Sequence, residues 1–250
     1  MKKIIPLTLI LVVALGFVAC EEDEPSTKFE DITLNCGKSY TIPNGSGTTW
    51  TSSNEYIASI SGNVVTAELV GDATISSTKG SFKVSVKGVV PNAYNIPCLN
   101  WGASKSTVKN FMSGQTIYEE TSTSISYKGT GTQILTLYTF ENSKLISSGL
   151  ALNGDYIDSD NLIDFILERY IPLTYDEDNY SFYFITPDGK TGLGLTLNVY
   201  GDTLVYVIAY VPFENSSRSI SAIDWTEFDK YGFKKSDLVK TQFEKIKTNF

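Results

Sequence analysis

The sequence predicts an α+β, multidomain chain: an N-terminal β-sandwich, then a tandem α/β domain built from two helix-plus-three-strands units with one open sheet face. Short β-like runs recur about every 8–12 positions in the first third, too close together for intervening helices. Two helical patterns break the strand pattern after residue 97. Leu135-Thr136-Leu137 returns as Leu195-Thr196-Leu197 sixty positions later, the mark of an internal duplication. At 250 residues the chain is longer than a usual single domain, and its 15 Tyr and 13 Phe favour β-structure.

In chain order, Lys2 and Lys3 precede an apolar run from Ile4 to Ala19. The run is shorter than the roughly 20 residues of a bilayer-spanning helix, so residues 1–19 are expected to be a signal peptide. Phe17-Val18-Ala19-Cys20 resembles the lipobox of bacterial lipoproteins. That resemblance implies lipid attachment at Cys20 and a membrane partner held through the acyl chains. Each buried CH₂ contributes about 0.8 kcal/mol. The alternative is ordinary secretory cleavage nearby. Residues 20–28 include Glu21-Glu22-Asp23-Glu24-Pro25, a self-repelling run suited to a flexible tether. An acidic stretch here also resembles the surface-export signal of Bacteroidota lipoproteins, which implies an outer-membrane protein exposed at the cell surface. The alternative is a plain solvated linker.

Residues 29–88 hold the runs Ile32–Leu34, Tyr40–Ile42, Ile57–Ile60, Val64–Ala67, Ala73–Ile75 and Phe82–Val86. Pro43-Asn44-Gly45, Gly62-Asn63, Gly71-Asp72 and Lys79-Gly80 supply turns between them. Trp50-Thr51-Ser52-Ser53-Asn54, Ile57-Ala58-Ser59-Ile60, Val65-Thr66-Ala67 and Gly71-Asp72-Ala73-Thr74-Ile75 together resemble the group 2 bacterial Ig-like domain. The resemblance covers about a quarter of the chain. It implies a buried Trp50, a small Ala58 beneath it, a turn at Gly71 and a stalk or adhesion role, with no catalytic residues. Cys36 departs from the pattern and has Cys98 as a potential disulfide partner; two separate buried thiols are the competing reading.

Residues 97–215 form the expected α+β recognition domain. Ser104 caps a helix with Val108, Phe111 and Met112 on one face, ended by Gly114. A second helix starts near Asp158-Ser159-Asp160, buries Leu162, Phe165, Ile166 and Tyr170, and stops before Pro172. The tandem layout resembles the β-lactamase inhibitory protein fold and the α/β domains of uncharacterised Bacteroidota surface lipoproteins. It implies recognition of a glycan or protein on the open sheet face. Tyr138, Tyr183 and Tyr206 are candidate ligand contacts there, with core packing as the competing reading. Residues 224–250 are expected to form a packed C-terminal helical segment.

Net charge is −8, and losing Lys2 and Lys3 with residues 1–19 makes it −10, so nucleic acid is not an expected partner. Six Lys against Asp237 and Glu244 make residues 230–250 locally basic, as a solvated helix face or an acidic-surface contact. The chain has no His, which removes the commonest general base and the usual triads. It also lacks CxxC, GxSxG, Walker and GxGxxG patterns. No catalytic residue, cofactor or metal is therefore expected. A carboxylate-dependent glycan hydrolase and a structural subunit of an envelope complex remain alternatives to a non-catalytic recognition protein. The densest acidic spots are Glu119-Glu120 and Asp176-Glu177-Asp178, the second also a conceivable Ca²⁺ ligand set.

Overall fold

The computed structural model describes residues 29–213 together with Phe243, Glu244 and Lys247. The expected signal peptide, Cys20 and the expected tether lie outside the described residues, as does the 224–250 segment apart from those three, which are helical.

Seven short strands come first: β1 (Ile32–Asn35), β2 (Ser39–Thr41), β3 (Thr51–Ser52), β4 (Ala58–Ser61), β5 (Val64–Ala67), β6 (Gly71–Ser77) and β7 (Gly80–Lys87). They form a four-stranded sheet in the order β1-β7-β6-β3 and a three-stranded sheet β2-β5-β4. The pairing of β1 with β7 is parallel. Alternation along β6 and β7 turns Ala73, Ile75, Phe82, Val84 and Val86 inward, where with Trp50 beside β3 they meet Ile42, Ala58, Val65 and Ala67. The Trp50 ring is buried against Phe29, with centroids 5.1 Å apart, and its indole N–H donates to the Gly45 carbonyl at 3.1 Å. Gly71 has φ +153°, and a Cβ there would lie 2.8 Å from Ile57 Cδ1, so the strand start requires glycine.

The second part contains α1 (Lys105–Phe111), β8 (Ile117–Glu120), β9 (Ser124–Lys128), β10 (Gln133–Glu141), β11 (Lys144–Asn153), α2 (Ser159–Leu167), β12 (Ile171–Asp176), β13 (Ser181–Ile185), β14 (Thr191–Tyr200) and β15 (Thr203–Pro212). Its eight strands make one antiparallel sheet in the order β12-β13-β14-β15-β11-β10-β9-β8. Two four-stranded meanders thus meet where β15 pairs with β11, at Leu150 opposite Ile208. Both helices lie on one face. Leu162, Ile163, Phe165 and Ile166 of α2 pack on Leu150, Leu195, Leu197 and Ile208, while Val108 of α1 packs on Ile125, Tyr127 and Tyr138.

Three expectations are corrected. Each unit has four strands after its helix instead of three; the extra strands β8 and β12 lie at the sheet edges and are mostly exposed, so they lack an alternating apolar signal. The Leu-Thr-Leu triplets are not equivalent positions. The hairpin turns start at Asn142 and Gly201, 59 positions apart, and a slip of one residue reverses every side chain in a strand. Leu135 and Leu137 therefore face away from the helices, whereas Leu195 and Leu197 face α2. Finally, the face without helices is not open, because Leu135, Leu137, Ala151, Tyr183, Val205, Val207 and Ala209 are all 0–5% exposed. The continuous apolar run Leu204–Tyr210 in β15 is the corresponding sequence signal, since a strand buried on both faces does not alternate.

Candidate functional site

Between β7 and α1 the chain crosses the helix-bearing face of the sheet and is strapped down along its length. The Tyr94 and Tyr210 hydroxyls are 2.6 Å apart, and the rings of Tyr94 and Phe165 meet edge to face at 5.0 Å. The Ser148 hydroxyl donates to the Cys98 carbonyl at 2.6 Å, and the Trp101 indole N–H donates to Thr191 Oγ1 at 3.0 Å. These bonds hold Asn95, Ile96 and Pro97 in fixed positions beside the end of α1.

Ser104 is the N-cap of α1, accepting from the Thr107 amide. At the other end, the amides of Met112, Ser113 and Gln115 take the carbonyls of Val108, Asn110 and Met112, closing the helix before Gly114 at φ +86°. Glu120 fastens α1 to β8 through Lys109 at 2.8 Å, and that contact holds its carboxyl below the ordinary range.

A cleft of about 200 Å³ lies between the end of α1 (Phe111, Met112, Ser113), the 95–97 segment and the connection from β9 to β10. Tyr138 and Thr136 lie at its base. The Tyr138 hydroxyl ties two walls together, accepting from the Cys98 amide and donating to Met112 Sδ, both at 3.2 Å. Burial pushes its pKa far above the ordinary phenol value. At the mouth stand Phe111, 56% exposed, and Ile96, 39% exposed. The third wall needs glycine at 129, because a Cβ there would overlap the carbonyl of Gln133. Asn95, Ser113, Gln115 and Thr130 line the cleft with side chains that make no hydrogen bond to other described residues. The arrangement offers several donors and acceptors around an apolar lip. Its volume is below the roughly 300–1,000 Å³ of a pocket that encloses a drug-sized ligand, and suits one ring-sized group.

Of the three tyrosines that the sequence offers as candidate ligand contacts, with core packing as the competing reading, the structure brings only Tyr138 to this cleft, and there as a buried floor residue. Tyr138 and Tyr206 face the helices and Tyr183 the opposite side, each at most 2% exposed, because alternation and two-sided burial place them in the core. Sequence reasoning misses Phe111 as a cleft residue, since the helical pattern puts it on one face with Val108; only Val108 of that helix is buried. Its position three residues after Val108 on a seven-residue helix gave no signal to separate core from rim. Cys36 and Cys98 are both free and belong to different clusters, Cys36 beside the sandwich core and Cys98 beneath Tyr138. Burial, then the charge of Glu168, pushes the Cys36 thiol up.

The two acidic spots cannot act as a pair. β8 and β12 are the opposite edges of the eight-stranded sheet, about 34 Å apart at roughly 4.8 Å per strand, against the ~5–9.5 Å between glycosidase carboxylates. Asp176 accepts from both nitrogens of Asn179, and Glu177 pairs with Lys247. Among the described residues no group of three His, Cys, Asp or Glu side chains is placed to hold a metal ion. A second depression of about 330 Å³ separates the sandwich from α2 and β12, where Glu55 and Glu68 already accept from the Ile60 amide and the Ser59 hydroxyl. No known protein family, curated protein or solved structure matches the chain.

Proposed function

We propose that this chain is a surface lipoprotein of the outer membrane, anchored through Cys20, whose N-terminal Ig-like sandwich acts as a stalk for a domain that binds glycans without catalysis. The cleft beside Phe111 carries this reading. An exposed aromatic ring offers a flat apolar surface, and the Asn95, Ser113, Gln115 and Thr130 side chains around it make no hydrogen bond to other described residues, the combination that recognises a hydroxylated ring. The lipobox-like Cys20 and the acidic tether support the location.

A binding assay with fluorescent polysaccharides on intact bacteria expressing the chain tests both halves. Cells carrying the parent chain retain a polysaccharide. Phe111→Ala weakens retention roughly tenfold, equivalent to about 1.4 kcal/mol for the lost stacking surface. Cys20→Ser abolishes labelling of cells, while the detergent-solubilised full-length variant still binds the same polysaccharide. Failure of the solubilised parent chain to bind any polysaccharide would sink the reading.

A further inference from the structure

We infer that the cleft takes a single, uncharged sugar ring at the end of a chain; this rests on the glycan-binding reading above and narrows it. The protein carries a net charge of −8, yet no carboxylate lines the cleft. Its one ionisable lining side chain is Lys128 apart from the buried Tyr138 phenol. Lys128 sits opposite Leu135 in the β9–β10 register, and Leu135 belongs to the face away from the helices. Its ammonium group lies 5.9 Å from the centre of the Tyr118 ring, directed toward the sheet edge instead of the cleft base. The nearby acid Glu120 is engaged by Lys109 and Lys105.

The groups left for a ligand are amides and hydroxyls: Asn95, Gln115, Ser113, Thr130 and the oxygen of the Gln133 amide, whose NH₂ donates to Thr136. Amides and hydroxyls both donate and accept, which matches sugar hydroxyls that do the same. An ammonium group brought into this cleft finds no carboxylate in its lining, and a carboxylate at its base is turned away from the Lys128 ammonium beside Tyr118, so either loses hydration in an unfavourable exchange. At the α1 end the Val108, Asn110 and Met112 carbonyls are taken by the Met112, Ser113 and Gln115 amides. Thr136 and Tyr138 are buried lining residues of the cleft, and Phe111 and Ile96 exposed apolar ones. A ring therefore enters end-on, with the rest of the glycan passing over Phe111 and Ile96.

Isothermal titration of the detergent-solubilised full chain with neutral hexoses and deoxyhexoses, the matching uronic acids and amino sugars, and end-blocked oligosaccharides tests this. The expected result is binding of a neutral ring, at least tenfold weaker binding of its charged counterparts, no change between low and high salt, and loss of binding when the terminal ring is blocked. Gln115→Ala should weaken the neutral ring severalfold and leave thermal stability unchanged. Equal or tighter binding of a charged ring, salt-sensitive binding, or full binding of end-blocked chains would overturn the inference while leaving glycan recognition standing. Absence of binding by every glycan would remove both.

Discussion

Tyr127 and Tyr138 stand edge to face with ring centres 6.1 Å apart in the core beneath α1, and their hydroxyls have opposite fates. The Tyr138 hydroxyl bonds to the Cys98 amide and Met112 Sδ. The Tyr127 hydroxyl is buried with no hydrogen-bond partner among the described residues. A buried polar group left unsatisfied costs about 1–3 kcal/mol, whereas removing it from an apolar site relieves that cost. Tyr127→Phe should therefore raise stability by about 1 kcal/mol. Tyr138→Phe should lower it by about 1–3 kcal/mol because the Cys98 amide loses its acceptor. Parallel denaturant melts of the two variants check the signs, and a destabilised Tyr127→Phe would show that the hydroxyl has a partner after all.

Among the elements, the strap over the helix-bearing face depends on neutral phenols. Burial pushes the Tyr94 and Tyr210 hydroxyls well above the ordinary phenol value, and burial also raises Tyr170 beside them. In the unfolded chain these groups ionise near pH 10, while in the folded protein they keep their protons to higher pH. The unfolded state thus sheds protons first. The stability they contribute is fully present below about pH 10 and is lost as pH rises toward the folded-state values, by up to about 1.4 kcal/mol per pH unit for each tyrosine. Stability measured by denaturant from pH 9 upward should fall steeply. Tyr210→Phe should flatten that slope by up to one tyrosine's share, and an unchanged slope would contradict the assignment.

At the scale of the whole molecule, the sandwich is joined to the sheet domain by more than its covalent linker. Glu168, at the end of α2, accepts from the Val89 amide at 2.9 Å and the Val90 amide at 3.2 Å, and its own carbonyl accepts from the Val70 amide at 2.7 Å. Arg169 pairs with the same carboxylate at 3.1 Å and lies 3.8 Å from the centre of the Phe165 ring. Asn54 adds a bond to the Pro187 carbonyl. Side chains 168 and 169 are only 12% and 15% exposed, so water does little to screen the pair. A Cβ at Gly88 would lie 2.6 Å from Glu168 Oε2, which makes glycine part of the clamp. Glu168→Ala should cost about 2 kcal/mol through two stranded amides and an unpaired Arg169. Spin labels placed on the sandwich and on β13 should report a narrow distance distribution in the parent chain that broadens in Glu168→Ala and Gly88→Ala. Equal widths would mean that the junction is held elsewhere.

Local chemistry written in consecutive residues was legible from the sequence alone. The Ser104 cap, the acidic start of the second helix and the existence of both helices follow from backbone capping and from side-chain periodicity along one element. Where the elements meet had to come from the tertiary structure. A strand's period of two does not say which face is covered, so Tyr183 and Leu137 read as surface or core until their neighbours are known. Phe111 became a cleft residue because segment 95–97 and the Gly129 turn arrive from elsewhere in the chain, and Glu168 became a clamp because amides some eighty positions earlier fold onto it. Periodicity records a residue's relation to its own element. Contacts between distant segments depend on how whole elements pack, which no single stretch of sequence encodes.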